Sequence, residues 1–142
     1  MQNSFYREII NDHNLRPLHK REVEGANYEQ RGVNPNCGDD ITLKLRVRSG
    51  VIEDGGFTGD GCAISQASAD IMLDMIIGKK VEEAERLSEI FRRMITGKIS
   101  DEEMNELEEA GALADVSHMP ARVKCAVLGW HTLDAVLQDK AE

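Results

Sequence analysis

The sequence predicts an α+β fold in which a small antiparallel sheet of about three strands packs against several helices on one face. Three observations carry that expectation. Ile41, Leu43, Leu45 and Val47 alternate with Thr42, Lys44, Arg46 and Arg48, the period of a half-solvated strand. The Ser49-Gly50 pair then signals a turn into a second strand-forming run, Val51 to Thr58. After Cys62 the apolar period changes to that of a helix and stays so to Leu137. The order helix, strands, helices favours helices gathered on one face of a meander over alternating βαβ units.

Taken in order, Ser4 to Asn14 places Phe5, Ile9 and Ile10 on one helical stripe, with Asn3 or Ser4 available as a cap. Arg16 to Asn36 has weak periodicity and holds Pro17, Gly25, Gly32 and Pro35, so it reads as loop with room for a short strand. Gly55-Gly56 inside the return strand signals a bulge or a close backbone approach. Ala63, Ala67, Ile71, Met75 and Ile76 form a helix stopped by Gly78, and Val81 to Thr96 forms the next. Ser100-Asp101-Glu102-Glu103 is a capping box for a third helix reaching about Ala110. Pro120 opens the last one, which carries Val123, Val127, Trp130, Leu133 and Leu137. No repeat, linker or charge break divides residues 1–142, which are expected to form one domain.

Composition excludes several function classes. Seventeen Lys and Arg against 26 Asp and Glu leave a net charge of −9, with no basic cluster to neutralise phosphates, so nucleic acid is not the expected partner. No apolar run of about 18 residues exists, so no membrane span is expected. The first eight residues lack a secretory pattern, and the expected compartment is the cytoplasm.

Three cysteines make a poor disulfide framework in such a compartment. They are separated by 24 and 62 residues, which by spacing alone reads as three unrelated small core residues. Their settings argue otherwise. Cys37 lies among turn formers, Asn34-Pro35-Asn36-Cys37-Gly38-Asp39, where a thiol is reachable and Asp39 stands close by. Cys62 follows Gly59-Asp60-Gly61 and opens a helix, whose N-terminus favours thiolate. Cys125 follows Arg122 and Lys124, cations that would lower its pKa if the three heads converge; beside Val123 and Val127 it also reads as core packing. Cys37, Asp39, Cys62 and Cys125 together offer the sulfur and oxygen donors of a tetrahedral zinc site, whose formal charge of −2 would call for Arg122 and Lys124 nearby. His13 and His19 read as surface or partner-contact residues, His118 as a loop histidine or a group close to the site, and His131 and Trp130 as surface and packing. Tyr6 and Arg7 read as part of a docking face.

Three strings resemble the U-type iron–sulfur assembly proteins: Asn36-Cys37-Gly38-Asp39 before a strand, Gly61-Cys62-Ala63-Ile64-Ser65-Gln66-Ala67-Ser68-Ala69 opening a helix, and Ala121-Arg122-Val123-Lys124-Cys125 with Trp130. The resemblance spans nearly the whole chain and is closest to the SufU branch. Lys124 stands where IscU-like proteins carry His, and an acidic helical stretch around Glu82 to Ala110 has no IscU counterpart. Met119-Pro120-Ala121-Arg122-Val123-Lys124 replaces the Leu-Pro-Pro-Val-Lys motif, so Hsp70-type chaperone docking is not carried over. The resemblance implies Zn2+ on Cys37, Asp39, Cys62 and Cys125, with Cys37 accepting persulfide sulfur from a SufS-type cysteine desulfurase for downstream iron–sulfur assembly proteins. Two alternatives remain at this stage: a scaffold holding a [2Fe–2S] cluster on the same residues, and a structural zinc domain acting only as a binding module.

Overall fold

The computed structural model describes residues 2–140, with side chains from 7 to 138. Its elements run α1 (Gln2–Leu15), β1 (Tyr28–Asn34), β2 (Asp39–Arg48), β3 (Val51–Asp60), α2 (Ala63–Ile76), α3 (Val81–Thr96), α4 (Asp101–Glu106), a 3₁₀ segment (Glu108–His118) and α5 (Pro120–Lys140). The three strands form an antiparallel meander in sequence order. On β2 the side chains Asp39, Ile41, Leu43, Leu45 and Val47 all point to the buried face. That face meets α2 and α5, and the predicted α+β arrangement holds.

Two hairpins set the sheet. Ser49 and Gly50 both take positive φ, 53° and 75°, the turn whose twist suits adjoining strands. The expected bulge lies earlier than Gly55: Arg46 pairs with Asp54 and Val47 with Ile52, so Glu53 is the extra residue. Gly55 and Gly56 serve the other expected purpose. A Cβ on Gly55 would stand 2.8 Å from Leu73 Cδ2, and one on Gly56 2.5 Å from the Arg21 carbonyl oxygen. The chain around His19 to Val23 is pressed onto this part of β3, and the Phe57 N–H donates to the His19 carbonyl at 2.9 Å. Outside the core, Arg31 Nε and Nη2 donate to the two oxygens of Asp40 at 2.9 and 2.6 Å.

The stretch expected as loop from Arg16 to Asn36 yields a full seven-residue strand at its end, Tyr28–Asn34. Its Gln30-Arg31-Gly32 centre hides it from propensity, and pairing with β2 decides it. α1 starts at Gln2, so Asn3 and Ser4 lie inside its first turn; their side chains, expected as caps, lie outside the described residues. The capping box at Ser100 and Glu103 forms as expected, but α4 ends at Glu106 and the chain continues as a 3₁₀ segment after Glu108 takes φ 50°. The side chains of Phe5 and Tyr6 lie outside the described residues.

Trp130 anchors the helical layer. Fully buried, it stacks on Phe91 with ring centroids 4.4 Å apart, and its Nε1–H donates to Ser68 Oγ at 3.1 Å. The Ser68 hydroxyl in turn donates to the Ala126 carbonyl at 2.6 Å. α2, α3 and α5 are thereby joined at one point.

His13 corrects the sequence reading: it is only 8% exposed and forms no surface patch. Nδ1 faces Asp70 Oδ2 at 2.6 Å and Nε2 faces Glu109 Oε1 at 2.7 Å. Carboxylate oxygens accept and do not donate, so both ring nitrogens carry protons and the imidazolium ties α1 to α2 and the 3₁₀ segment. Apolar periodicity could not reveal this, because the partners are 57 and 96 residues away.

Two outcomes follow for stability. Trp130→Ala should lower the unfolding free energy by about 3–5 kcal/mol, and Trp130→Phe by less than half of that, in urea unfolding. Burial alone would lower the His13 pKa from its ordinary 6.5, but the bonds to Asp70 and Glu109 outweigh it and raise it. A raised folded-state pKa contributes in full below the unfolded value, and the contribution is lost as pH rises through the folded value. Stability should therefore fall across that window above pH 6.5 more steeply than in His13→Gln; parallel profiles would contradict the imidazolium assignment.

Candidate metal centre

Cys37 is presented by the β1–β2 turn. Asn34 and Asp39 are the closing pair of the hairpin. Within it the Cys37 N–H donates to the Asn34 carbonyl at 3.1 Å, and the Gly38 N–H to the Pro35 carbonyl at 3.4 Å. Pro35 pre-sets the first turn residue, and Gly38 takes φ +71°, where a β-carbon is disfavoured although open space surrounds it. The turn leaves Cys37 partly exposed while Asp39, two residues on, is 0% exposed.

The other two cysteines come from the helical layer. Cys62 is the N-cap of α2, its Sγ accepting from the Ser65 N–H at 3.4 Å. Cys125 lies in the second turn of α5 and is fully buried. α2 and α5 approach closely because Gly129 has no side chain; a Cβ there would stand 3.3 Å from Ala69 Cα. The result brings Cys37 Sγ, Cys125 Sγ and one Asp39 oxygen within 4.8 Å of one another. Cys62 is not part of that compact trio, though its thiol is close enough to contribute to the raised pKa of Cys125. All three cysteines are free.

This donor set fits a single small ion. Sulfur bound to tetrahedral zinc at about 2.3 Å places neighbouring donors roughly 3.8 Å apart, and the trio lies within 4.8 Å. Burial, and then the thiols of Cys37 and Cys62, push the Cys125 thiol well above the usual cysteine range. That is opposite to the lowering expected from Arg122 and Lys124. Arg122 is exposed and lines a depression with Arg7, Ile10 and Cys62. Lys124 lines a different depression, between α3 and α5, with Glu89, Arg92 and Arg93. One helical residue from Cys125 turns a side chain about 100° away, which carries Lys124 toward α3. Arg122 thus shares a depression with Cys62, whereas Lys124 lines one that holds none of the thiols. His118 and His131 are exposed.

Asp39 has further partners. Its Oδ1 accepts from the Cys62 N–H at 2.8 Å and from the Ser65 hydroxyl at 3.1 Å. Its Oδ2 receives a longer contact from Asn34 Nδ2 at 3.4 Å, and the same nitrogen stands 3.9 Å from Cys125 Sγ. Asn34 and Ser65 are both buried, and neither stood out in the sequence as a site residue. The hairpin turn was a usable signal for Asn34, since a turn over Pro35–Gly38 sets it opposite Asp39. For Ser65 the signal was its place three residues after a helix-capping Cys62.

Comparison with known proteins agrees with this architecture. Residues 5–140 match the model for the NifU-like N terminal domain. An iron–sulfur cluster assembly scaffold protein IscU from Streptococcus pyogenes is 40% identical over 139 residues, covering 98% of this chain and 86% of that one. The zinc-dependent sulfurtransferase SufU of Bacillus subtilis is 40% identical over 131 residues, covering 92% and 88%. A candidate iron–sulfur cluster assembly scaffold protein for the SUF system, from Fervidobacterium islandicum, superposes with a TM-score of 0.86 at 38% identity, covering 92% of this chain and 94% of that one. With a match that runs from the first helix to the last, the chain belongs to the family of NifU-like N-terminal domains, among IscU and SufU relatives.

Proposed function

We propose that this chain works in iron–sulfur cluster assembly as an acceptor of persulfide sulfur, with Cys37 as the residue that takes the sulfur and Cys37, Asp39, Cys62 and Cys125 as ligands of zinc. The placement of Cys37 carries the reading. Its thiol is open to a partner at a hairpin tip, whereas Asp39 and Cys125 beside it are closed off. Bound zinc would supply charge that keeps these thiols deprotonated, which the buried Cys125 otherwise resists.

The chemistry at Cys37 is thiol–disulfide exchange. Its thiolate attacks the outer sulfur of a persulfide on the cysteine desulfurase. A new S–S bond forms on Cys37, the S–S bond on the desulfurase breaks, and the desulfurase cysteine leaves as thiolate. The proton of the terminal sulfur travels with it, and nothing beyond that sulfur changes hands. The partner so implied is a SufS-type desulfurase, followed by iron–sulfur assembly proteins that take the sulfur onward, all in a reducing cytoplasm where thiols persist. Among the described residues no helix is long and apolar enough to cross a membrane.

The scaffold reading uses the same donors for a [2Fe–2S] cluster as cargo. Support for the sulfur-acceptor reading over it comes from Lys124, which stands where IscU-like proteins carry His and lines a depression apart from the thiols.

Protein purified without oxygen should carry about one zinc per chain and no acid-labile sulfide. Iron and sulfide in equal amounts would move the assignment to the scaffold. Cys37→Ser should stop transfer of ³⁵S from desulfurase-bound persulfide while the fold persists; unchanged transfer would contradict the role of Cys37. Cys62→Ala and Cys125→Ala should lose most of the zinc and Asp39→Ala only part of it, read as metal content after gel filtration.

A further inference from the structure

The two oxygens of Asp39 are not equivalent. Oδ1 faces the N-terminus of α2, where it takes the Cys62 N–H at 2.8 Å and the Ser65 hydroxyl at 3.1 Å. Oδ2 has only the long contact from Asn34. The Ser65 hydroxyl has a second acceptor at the same 3.1 Å, the Cys62 carbonyl. A carboxylate is the stronger acceptor of the two, so the single proton goes to Asp39. All of this occurs at a carboxylate and a serine with no exposure, where an unmade hydrogen bond is costly.

We propose that Ser65 is the positioning residue of the metal centre: by holding Oδ1 of Asp39 against α2 it turns Oδ2 alone toward the thiols, and so makes Asp39 a one-oxygen ligand. This rests on the reading of Asp39 as a zinc ligand. Without the hydroxyl, Oδ1 keeps only one of its two bonds and the carboxylate can rotate about its last torsion. It would then offer both oxygens to the ion and exceed the four donors that a zinc site of this kind takes. The general effect of partners that orient a ligand is about 10–100-fold in metal affinity.

The test is a double-substitution cycle on the full chain, with zinc affinity measured by chelator competition and the geometry read from the visible spectrum of the cobalt-loaded protein. Asp39→Asn keeps an oxygen acceptor for α2 but removes the carboxylate ligand. Ser65→Ala should weaken zinc about 10–100-fold in the wild-type background and less than about 3-fold in Asp39→Asn. Its cobalt bands should lose intensity, because added oxygen coordination weakens the absorption of a tetrahedral ion. Gly61→Ala gives a second route with the hydroxyl retained: its Cβ would stand 2.4 Å from Ser65 Oγ and 2.9 Å from Asp39 Oδ1, prising the same contact apart. It should reproduce the spectral change, and it decides the matter if Ser65→Ala does not fold.

Equal loss of affinity from Ser65→Ala in both backgrounds, or an unchanged cobalt spectrum in both Ser65→Ala and Gly61→Ala, would overturn the positioning role and leave Asp39 as a ligand. No loss of affinity in Asp39→Asn would overturn the ligand reading itself, and the proposal with it.

Discussion

A buried carboxylate at a sheet–helix seam is the constraint on which this structure turns. Asp39 begins β2 on its inward face, where the strand pattern calls for an apolar residue, and has no contact with water. A bare charge there would be costly, and its acceptors are met by the backbone of Cys62, the hydroxyl of Ser65 and the amide of Asn34. The same bonds place the first residue of the strand against the first turn of α2. Cys37 is brought in by its proximity to Asp39, Cys62 by lending its N–H, and Cys125 by the packing of α5 on α2. The geometry of the thiols is therefore a product of how one acid is satisfied.

The helical layer supports this from a distance. Trp130, Ser68 and Phe91 lock α5 to α2 and α3, so the thiol of Cys125 has a fixed position relative to Cys62. On the other side of α2, Asp70 accepts from His13 and from the backbone N–H of His19. A second buried acid thus sits two turns along the same helix, and it holds α1 and the segment after it. The helix that begins at the site is clasped at its first turn and again at its middle by polar contacts, set within apolar packing.

Much of this could be read in the sequence. The alternation of Ile41 to Val47, the turn at Ser49-Gly50 and the helical period after Cys62 dictate local geometry, and the structure follows them. The local settings of the three cysteines and Asp39 marked them as candidates even though spacing did not. What escaped were effects of tertiary pairing. β1 forms because β2 offers it partners, not because Gln30-Arg31-Gly32 favours a strand. His13 is buried because acids 57 and 96 residues away meet it. Lys124 and Arg122 look alike in the sequence, but helical rotation sends them to different faces. Asn34 and Ser65 carry no chemistry that a motif would highlight, and only their distance to Asp39 gives them meaning.

The pair Asp39-Asp40 exposes one more property of the first hairpin. Two identical carboxylates stand side by side, and strand alternation sends one inward and the other to solvent. A slip of β2 by a single residue would exchange them, but it would also turn Ile41, Leu43, Leu45 and Val47 to solvent and Thr42, Lys44, Arg46 and Arg48 into the core, so the apolar alternation settles which acid faces inward. The outer bond from Arg31 to Asp40 opposes that exchange, because it can be made only while Asp40 faces out. The exposed ion pair is of small energetic worth and only seconds an alignment that the four apolar side chains impose, so the acid at the thiols is chosen by the hydrophobic pattern of the strand that follows it.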